Sequence, residues 1–114
     1  MQNKRQTGSS YEKIAAAYFI QQGLEIMEYN YRNRRAEIDL IVRDHDYLVF
    51  VEVKYRSSLR HGDPAESVDV KKQARIRHAA RHYLYSTQQS EDLPCRFDVI
   101  SILEGEITWY KNAF

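Results

Sequence analysis

Several features that mark other protein classes are scarce in this chain. It has a single cysteine, Cys95, which excludes an internal disulfide and a thiolate cluster for zinc. No apolar run approaches the roughly 18–20 residues that a membrane-spanning helix needs, and residues 1–6 lack the apolar segment of a signal peptide. There is no low-complexity tract or linker. We therefore expect one domain over residues 1–114, located in the cytoplasm and not in a membrane, with residues 1–7 flexible.

Charge of one sign is also scarce overall, since the formal net charge is only +1. The distribution is uneven, however. From Lys54 to His82 there are eight lysines and arginines against three acidic residues, and Arg32, Arg34 and Arg35 form a second basic cluster. A neutral protein with a basic side can bind a polyanion locally. The alternative that these charges are only solvated stays open at this point.

The hydrophobic pattern predicts two helices and five strands. Helices are expected over residues 9–22, with Ser9 or Ser10 as the cap, and over residues 68–86. Strands are expected over residues 24–31, 37–42, 47–54, 96–102 and 106–110. The resulting order, α-β-β-β-α-β-β, predicts an α/β fold in which helices flank a mixed sheet of about five strands.

Two charged residues stand in a strand that otherwise looks buried. The strand over 47–54 places Glu52 and Lys54 on one face with Leu48 and Phe50, and its valines on the other face. The strand over 37–42 places Glu37, Asp39 and Ile41 opposite Ile38, Leu40 and Val42. Positions 39 and 52 are symmetric about the turn at 43–46, so we expect Asp39 and Glu52 to be cross-strand neighbours.

Two buried carboxylates side by side repel each other, and burial adds to the cost of their charges. A divalent cation such as Mg²⁺ removes this cost, because carboxylates are among its preferred ligands. Lys54, one pleat further along, would then contact an attacking water or a phosphate oxygen. The competing interpretation is an internal salt bridge between Lys54 and either Glu52 or Asp39.

Three further acids have roles that the sequence leaves open. Glu12 lies among Ala15, Ala16 and Phe19 on the wheel of the first helix, so its carboxylate is expected to face inward. Glu37 is either a fourth acid of the site or the partner of an arginine near a strand end. Asp98, in the strand over 96–102, is expected to be a structural acid that bonds to backbone or to Arg96, with a catalytic role as the alternative.

The same residues carry a resemblance to known proteins. Asp39 followed by Glu52-Val53-Lys54 resembles the PD-(D/E)XK nuclease pattern. More narrowly, the chain is identified as a member of the UPF0102 family, whose features run from about residue 8 to 100. They include Gly8 and Glu12, 30–32 (NYR), 37–41 (EIDLI), 50–56 (FVEVKYR), Gly62 with Pro64, 72–73 (KQ) and 96–99 (RFDV). This family is similar to archaeal Holliday-junction resolvases, which cut branched DNA as dimers with Mg²⁺ or Mn²⁺. One departure is Ala36, where the family usually has glycine.

The resemblance implies a restriction-endonuclease-like core and a role for particular residues. The implied metal ligands are Glu12, Asp39, Glu52 and the carbonyl of Val53; the implied catalytic residues are Asp39, Glu52, Lys54 and Gln73. The implied cofactor is Mg²⁺ or Mn²⁺, and the implied partner is structured DNA, with a homodimer left open. Candidate phosphate-backbone contacts are Arg32, Arg34, Arg35, Arg56, Lys72 and Arg75.

Three functions remain in competition at this level. The first is a metal-dependent endonuclease that hydrolyses phosphodiester bonds in structured or branched DNA. The second is a noncatalytic nucleic-acid-binding or adaptor domain that retains the nuclease scaffold. The third is a structural domain whose acids form only an ion-pair network with Lys54. Metal binding separates the first from the other two, and polyanion binding separates the second from the third.

Overall fold

The computed structural model describes residues 4–34, 36–56, 68–87, 89 and 92–114, with side chains of the first helix from Ser10 onward. The elements, in chain order, are α1 (Lys4–Gln21), β1 (Glu25–Arg32), β2 (Glu37–Asp44), β3 (Tyr47–Arg56), α2 (Val70–Ser86), β4 (Cys95–Leu103) and β5 (Glu106–Tyr110). The predicted order α-β-β-β-α-β-β is confirmed.

The five strands form one mixed sheet in the order β1-β2-β3-β4-β5. All neighbouring pairs are antiparallel except β3 and β4, which are parallel. A parallel pair needs a crossover between its strands, and the segment that joins β3 to β4 contains α2. The predicted mixed sheet is therefore confirmed, and β3 is a central strand with a neighbour on each side.

The helices cover opposite faces of the sheet and define two apolar layers. On one face Ala15, Ala16 and Phe19 of α1 pack with Leu40, Val42, Val49, Val51 and Ile100. On the other face Ile76, Ala79, Ala80 and Tyr83 of α2 pack with Ile38, Ile41, Leu48, Phe50 and Val99. Full burial of one such large side chain contributes about 1.5–3 kcal/mol. Both faces of β3 are buried, as the sequence predicts.

The helix starts differ from the predictions. α1 begins at Lys4, so the prediction of Ser9 or Ser10 as its cap is wrong, because both residues lie inside the helix. The first turns carry no apolar periodicity, which is why the pattern missed them. α2 begins at Val70 behind Asp69, whose carboxylate accepts the Lys72 backbone N–H at 2.8 Å. Flexibility of residues 1–7 stays a prediction, and residues 1–3 lie outside the described ranges.

Neither helix in the described part of the chain is long and apolar enough to cross a membrane. The whole described chain instead forms one sheet with its two helical covers. The predicted site residues Asp39 and Glu52 lie where the pairing of β2 with β3 ends, between these covers.

Candidate metal centre

The site forms where the ladder between β2 and β3 ends. The last paired residues are Leu40 and Val51, which confirms the predicted register, since Asp39 and Glu52 are the next positions along. Beyond them the backbone N–H of Val53 donates to Oδ2 of Asp39 at 2.8 Å. A side-chain carboxylate thus takes the hydrogen bond that a strand carbonyl would otherwise accept.

Where Asp39 takes this hydrogen bond, the side chains of β2 do not keep their regular alternation between the two faces of the sheet. Ile38 packs in the α2-side layer together with Ile41, so the prediction that Ile38 shares a face with Leu40 is wrong. Two local features accompany the change. Asp39 accepts a hydrogen bond from Val53, and Asn30, which lies between the paired residues Tyr29 and Tyr31 of β1, has a positive φ of 52°. The two-residue period of a strand cannot anticipate either feature.

Helix α1 brings a third carboxylate to this gap. Glu12 is only 6% exposed, and its Oε2 has no hydrogen-bond partner among the described residues. Carboxylate oxygens of Glu12, Glu37 and Asp39 all lie within 4.8 Å of one another. The inward orientation predicted for Glu12 is confirmed. Glu37 joins the cluster, and it also lies 3.4 Å from Arg32, so it satisfies both of its predicted alternatives.

The electrostatics of the cluster follow from burial and from like charges. Burial, and after it the charge of Glu52, raise the pKa of Asp39 to about 8. Burial likewise raises the pKa of Glu12 above its usual range. Without a counter-charge, Asp39 favours its protonated form near neutral pH. A bound cation would reverse that preference.

Glu52 has a different environment on the α2 side of the sheet. It is 7% exposed, and its Oε1 lies 2.6 Å from Nζ of Lys72 and 3.5 Å from Nζ of Lys54. The predicted salt bridge between Lys54 and Glu52 is therefore present. Burial, and then the adjacent Lys72, lower the pKa of Lys54. For Lys72, burial acts to lower the pKa, but the bonds to Glu52 outweigh it and raise the pKa.

Lys72 was predicted to contact a phosphate backbone, and its partnership with Glu52 was missed. The sequence did contain a signal for it. The buried stripe of α2 through Ile76 and Ala79 extends backward by one turn to Lys72. A lysine at the edge of a buried stripe, beside a strand that carries a buried glutamate, indicates an internal ion pair.

The oxygen donors in the gap suit a hard divalent cation. Three carboxylates converge there, and the Val53 carbonyl faces the same gap, because the N–H and C=O of one strand residue point to the same side. The orphaned Oε2 of Glu12 provides an unused ligand atom. Mg²⁺ and Mn²⁺ prefer such oxygen ligands. The candidate ligand set therefore gains Glu37, which was not among the predicted ligands. Glu52, which was predicted as a ligand, lies beside the cluster and is paired with Lys54 and Lys72.

The other predicted site residues are spread more widely. The Gln73 amide donates to the Val68 carbonyl at 2.9 Å and accepts from Arg77 at 3.5 Å, so its described bonds hold the start of α2. Arg34 and Arg75 are exposed and Arg56 is half-buried. Arg35 lies outside the described residues. Ala36 accommodates its turn without a positive φ and donates its N–H to the Asn33 side chain.

Asp98 is a structural acid, as the sequence predicts. It is fully buried, and the Arg96 guanidinium donates to both of its oxygens, with Nε 2.9 Å from Oδ1 and Nη2 2.9 Å from Oδ2. Trp109 Nε1 and the Asn112 backbone N–H also donate to it, at 2.8 and 2.9 Å. Arg96 further donates to Asp44 at 3.0 Å. Every carboxylate oxygen of Asp98 is used to join β4 to the last residues.

A mixed five-stranded sheet covered by a helix on each face, with acids on two adjacent strands, is a restriction-endonuclease-like α/β core. The chain belongs to the UPF0102 family, as predicted: residues 11–102 match the family described as "Uncharacterised protein family UPF0102". It is 46% identical to a UPF0102 protein of Lachnoclostridium phytofermentans, over 98% of this chain and 95% of that protein. It is 50% identical to UPF0102 protein NE0719 of Nitrosomonas europaea, over 94% and 92% of the two chains.

Proposed function

We propose that this protein is a metal-dependent endonuclease that hydrolyses phosphodiester bonds in structured or branched DNA. The observation that supports this best is the cluster of Glu12, Glu37 and Asp39, whose oxygens lie within 4.8 Å of one another beside a paired Glu52 and Lys54. A divalent cation, when bound, supplies charge neutralisation and polarises the phosphate and the attacking water. We also propose that the protein acts in the cytoplasm.

The site residues have two proposed roles: some are ligands of the cation, and Lys54 transfers a proton or contacts the phosphate. Glu12, Glu37 and Asp39 would hold the cation, with Glu52 and the Val53 carbonyl at its edge. Lys54 is 22% exposed and stands one pleat beyond Glu52, so its ammonium can reach a phosphate oxygen or water at the mouth of the site. Burial, and then the adjacent Lys72, lower the pKa of Lys54, which brings its ammonium closer to a role in proton transfer.

The outer face of α2 supports a polyanionic partner. The helix contains no acidic residue, and Arg75, His78, Arg81 and His82 are all exposed. Arg77 and Arg81 are a like-charged pair four residues apart, which destabilises an isolated helix by a few tenths of a kcal/mol. A phosphate backbone would relieve this repulsion. Because α2 starts beside Glu52, a DNA strand bound along this helix would pass close to the carboxylates of the candidate site.

Cleavage assays test the proposal. Four-way junction, flap and single-stranded DNA would be incubated with Mg²⁺ or Mn²⁺ and with wild type, Asp39→Asn or Lys54→Met. We expect wild type to cleave at least one branched substrate, and Asp39→Asn and Lys54→Met to lose most of that cleavage. Asp46→Asn, in the exposed turn between β2 and β3, is the matched control and should cleave as wild type does. Cleavage that is equal in wild type and Asp39→Asn would contradict the proposal.

A noncatalytic nucleic-acid-binding domain is the second candidate, and one observation favours it. Glu52 is already neutralised by Lys54 and Lys72, so part of the acid site is satisfied without a cation. Salt-sensitive DNA binding, together with no measurable Mn²⁺ binding in calorimetry, would select this candidate over the nuclease.

A further inference from the structure

Two ammonium groups share one buried carboxylate oxygen in the site. Nζ of Lys72 lies 2.6 Å from Oε1 of Glu52, and Nζ of Lys54 lies 3.5 Å from the same atom. A buried carboxylate needs such compensation, because an unpaired buried charge is strongly destabilising. Glu52 therefore has a shorter, stronger bond to the lysine that comes from α2 than to the one on its own strand.

The two lysines differ in how easily they can leave. The Lys54 side chain rises from the central strand β3 and is 22% exposed, whereas that of Lys72 rises from the first turn of α2 and is 33% exposed. The backbone of Lys72 is fixed through its N–H to Asp69, so only its flexible stem would have to move. A lysine stem can stay on apolar surface while its ammonium turns outward into water.

We propose that Lys72 is a displaceable counter-cation: it neutralises Glu52 in the metal-free protein and leaves Glu52 when a divalent cation binds beside Glu12 and Asp39. This inference rests on the cation site of the proposed function and adds how that site is controlled. The cation and the Lys72 ammonium compete for the same negative potential, and displacement of the more exposed lysine is the least costly way to relieve their repulsion. The released ammonium then stands at the mouth of the site, where a phosphate would arrive.

If Lys72 competes with the cation, its substitution should raise the affinity for Mn²⁺ and lower the stability of the metal-free protein. Lys72→Met removes the competitor, so Mn²⁺ affinity measured by calorimetry should rise about tenfold, a usual size for coupling between two binding events. The same substitution leaves Glu52 with Lys54 alone, so the melting temperature in EDTA should fall. Lys71→Met, the exposed neighbour, is the matched control and should keep Mn²⁺ affinity within about twofold of wild type. A purely structural role for Lys72 would instead lower both quantities.

A double-mutant cycle separates displacement from simple charge repulsion. In a Glu52→Gln background the carboxylate that Lys72 occupies is gone, so Lys72→Met should change Mn²⁺ affinity by less than about twofold. A tenfold rise that persists in this background, or unchanged affinity in Lys72→Met alone, would overturn the inference while leaving the metal site intact. Absence of Mn²⁺ binding by wild type would overturn the proposed function as well.

A measurement on the unsubstituted side chain covers the case in which Lys72→Met does not fold. An ion-paired lysine ammonium that is protected from exchange gives a resolved signal in nitrogen-15 spectra. We therefore expect such a signal for Lys72 in wild type without Mg²⁺. We expect saturating Mg²⁺ to abolish that signal as the group enters water. A Lys72 signal that is unchanged by saturating Mg²⁺ would show that Glu52 keeps its partner, and would overturn the inference.

Discussion

The carboxylate of Asp39 accepts the backbone N–H of Val53 at 2.8 Å and so stands in for a missing strand carbonyl. This relationship places a candidate metal ligand at the edge of the sheet plane rather than on one of its faces. Glu12 reaches it from α1, and Glu52, bonded to Lys72 of α2, reaches the same region from the other side. The site thus depends on both helical layers and on the gap between two strands.

The raised pKa of Asp39 predicts an unusual dependence of stability on pH. The folded protein, with a pKa of about 8 at Asp39, binds this proton more tightly than the unfolded chain, where the pKa is about 4. Stability therefore falls as the pH rises from about 4 to about 8, and a lower pH restores it. In metal-free buffer we expect thermal melts at pH 6 to lie several degrees above those at pH 8.

Asp39→Asn isolates that contribution. The neutral amide can still accept the Val53 N–H, so at pH 8 the metal-free variant should be more stable than wild type, by on the order of 2 kcal/mol. Its melting temperature should also change less between pH 6 and pH 8. Asp46→Asn in the exposed turn should reproduce the wild-type profile. If wild type and Asp39→Asn have parallel pH profiles, the carboxylate does not titrate as described.

Substitution of Lys54 should separate chemistry from metal binding. Lys54→Met leaves Glu12, Glu37 and Asp39 unchanged, so Mn²⁺ should still bind in calorimetry. Cleavage of branched DNA should fall by about 10²–10⁴-fold, the usual contribution of a positioned proton-transfer group. Lys13→Met on the exposed side of α1 provides the control for removing a lysine. Retention of full cleavage by Lys54→Met would remove Lys54 from the mechanism.

Asp98 should matter for stability and not for the metal. Asp98→Ala leaves the Arg96 guanidinium and the Trp109 N–H without their buried acceptor, and loss of one partner of a buried ion pair costs about 3–5 kcal/mol. Urea unfolding followed by Trp109 fluorescence would measure this loss. Mn²⁺ affinity, measured under conditions in which the variant is folded, should match wild type. An affinity change above about threefold would indicate that Asp98 acts on the site.

The exposed face of α2 should control binding to nucleic acid. Arg75→Glu should weaken DNA binding in EDTA, where no cleavage occurs. It should also reduce the slope of log affinity against log salt by about 0.9 for each phosphate that the helix no longer neutralises. Lys13→Glu, on α1, makes a comparable change of charge elsewhere on the surface. Equal losses of affinity from Lys13→Glu and from the α2 variant would mean that only net charge matters.

The sequence predicted the fold well because its strongest signals are periodic. The alternation in β3, the short turn after β2 and the stripe of Ile76, Ala79, Ala80 and Tyr83 each correspond to an observed element. The start of α1 could not be predicted in this way, because the sequence of its first turns contains no apolar periodicity. Its true first residue is Lys4, whereas the capping residues at 9 and 10 suggested a later start.

The site was predicted less completely, for a different reason. The register that brings Asp39 to Glu52 follows from sequence symmetry, and the inward orientation of Glu12 follows from its apolar neighbours. The partner of Glu52 does not follow from spacing alone, since Lys72 comes from another element and its reach depends on how α2 docks. The turn of Asp39 toward Val53 depends on one hydrogen bond that no period encodes.

The strand order also bears on how the molecule folds. β1, β2 and β3 are neighbours both in the chain and in the sheet, so the contacts that gather Asp39 and Glu52 are local in sequence. Among the paired strands that the structure describes, only β3 and β4 are joined through a long segment, which contains α2, and contacts so distant in sequence form slowly. We therefore expect the three-stranded N-terminal meander to gain protection first in pulsed hydrogen exchange, with β4 following. Early protection of β4 would contradict that order. If the expected order holds, Asp39 and Glu52 come together before α2 brings the positive charge of Lys72 to Glu52.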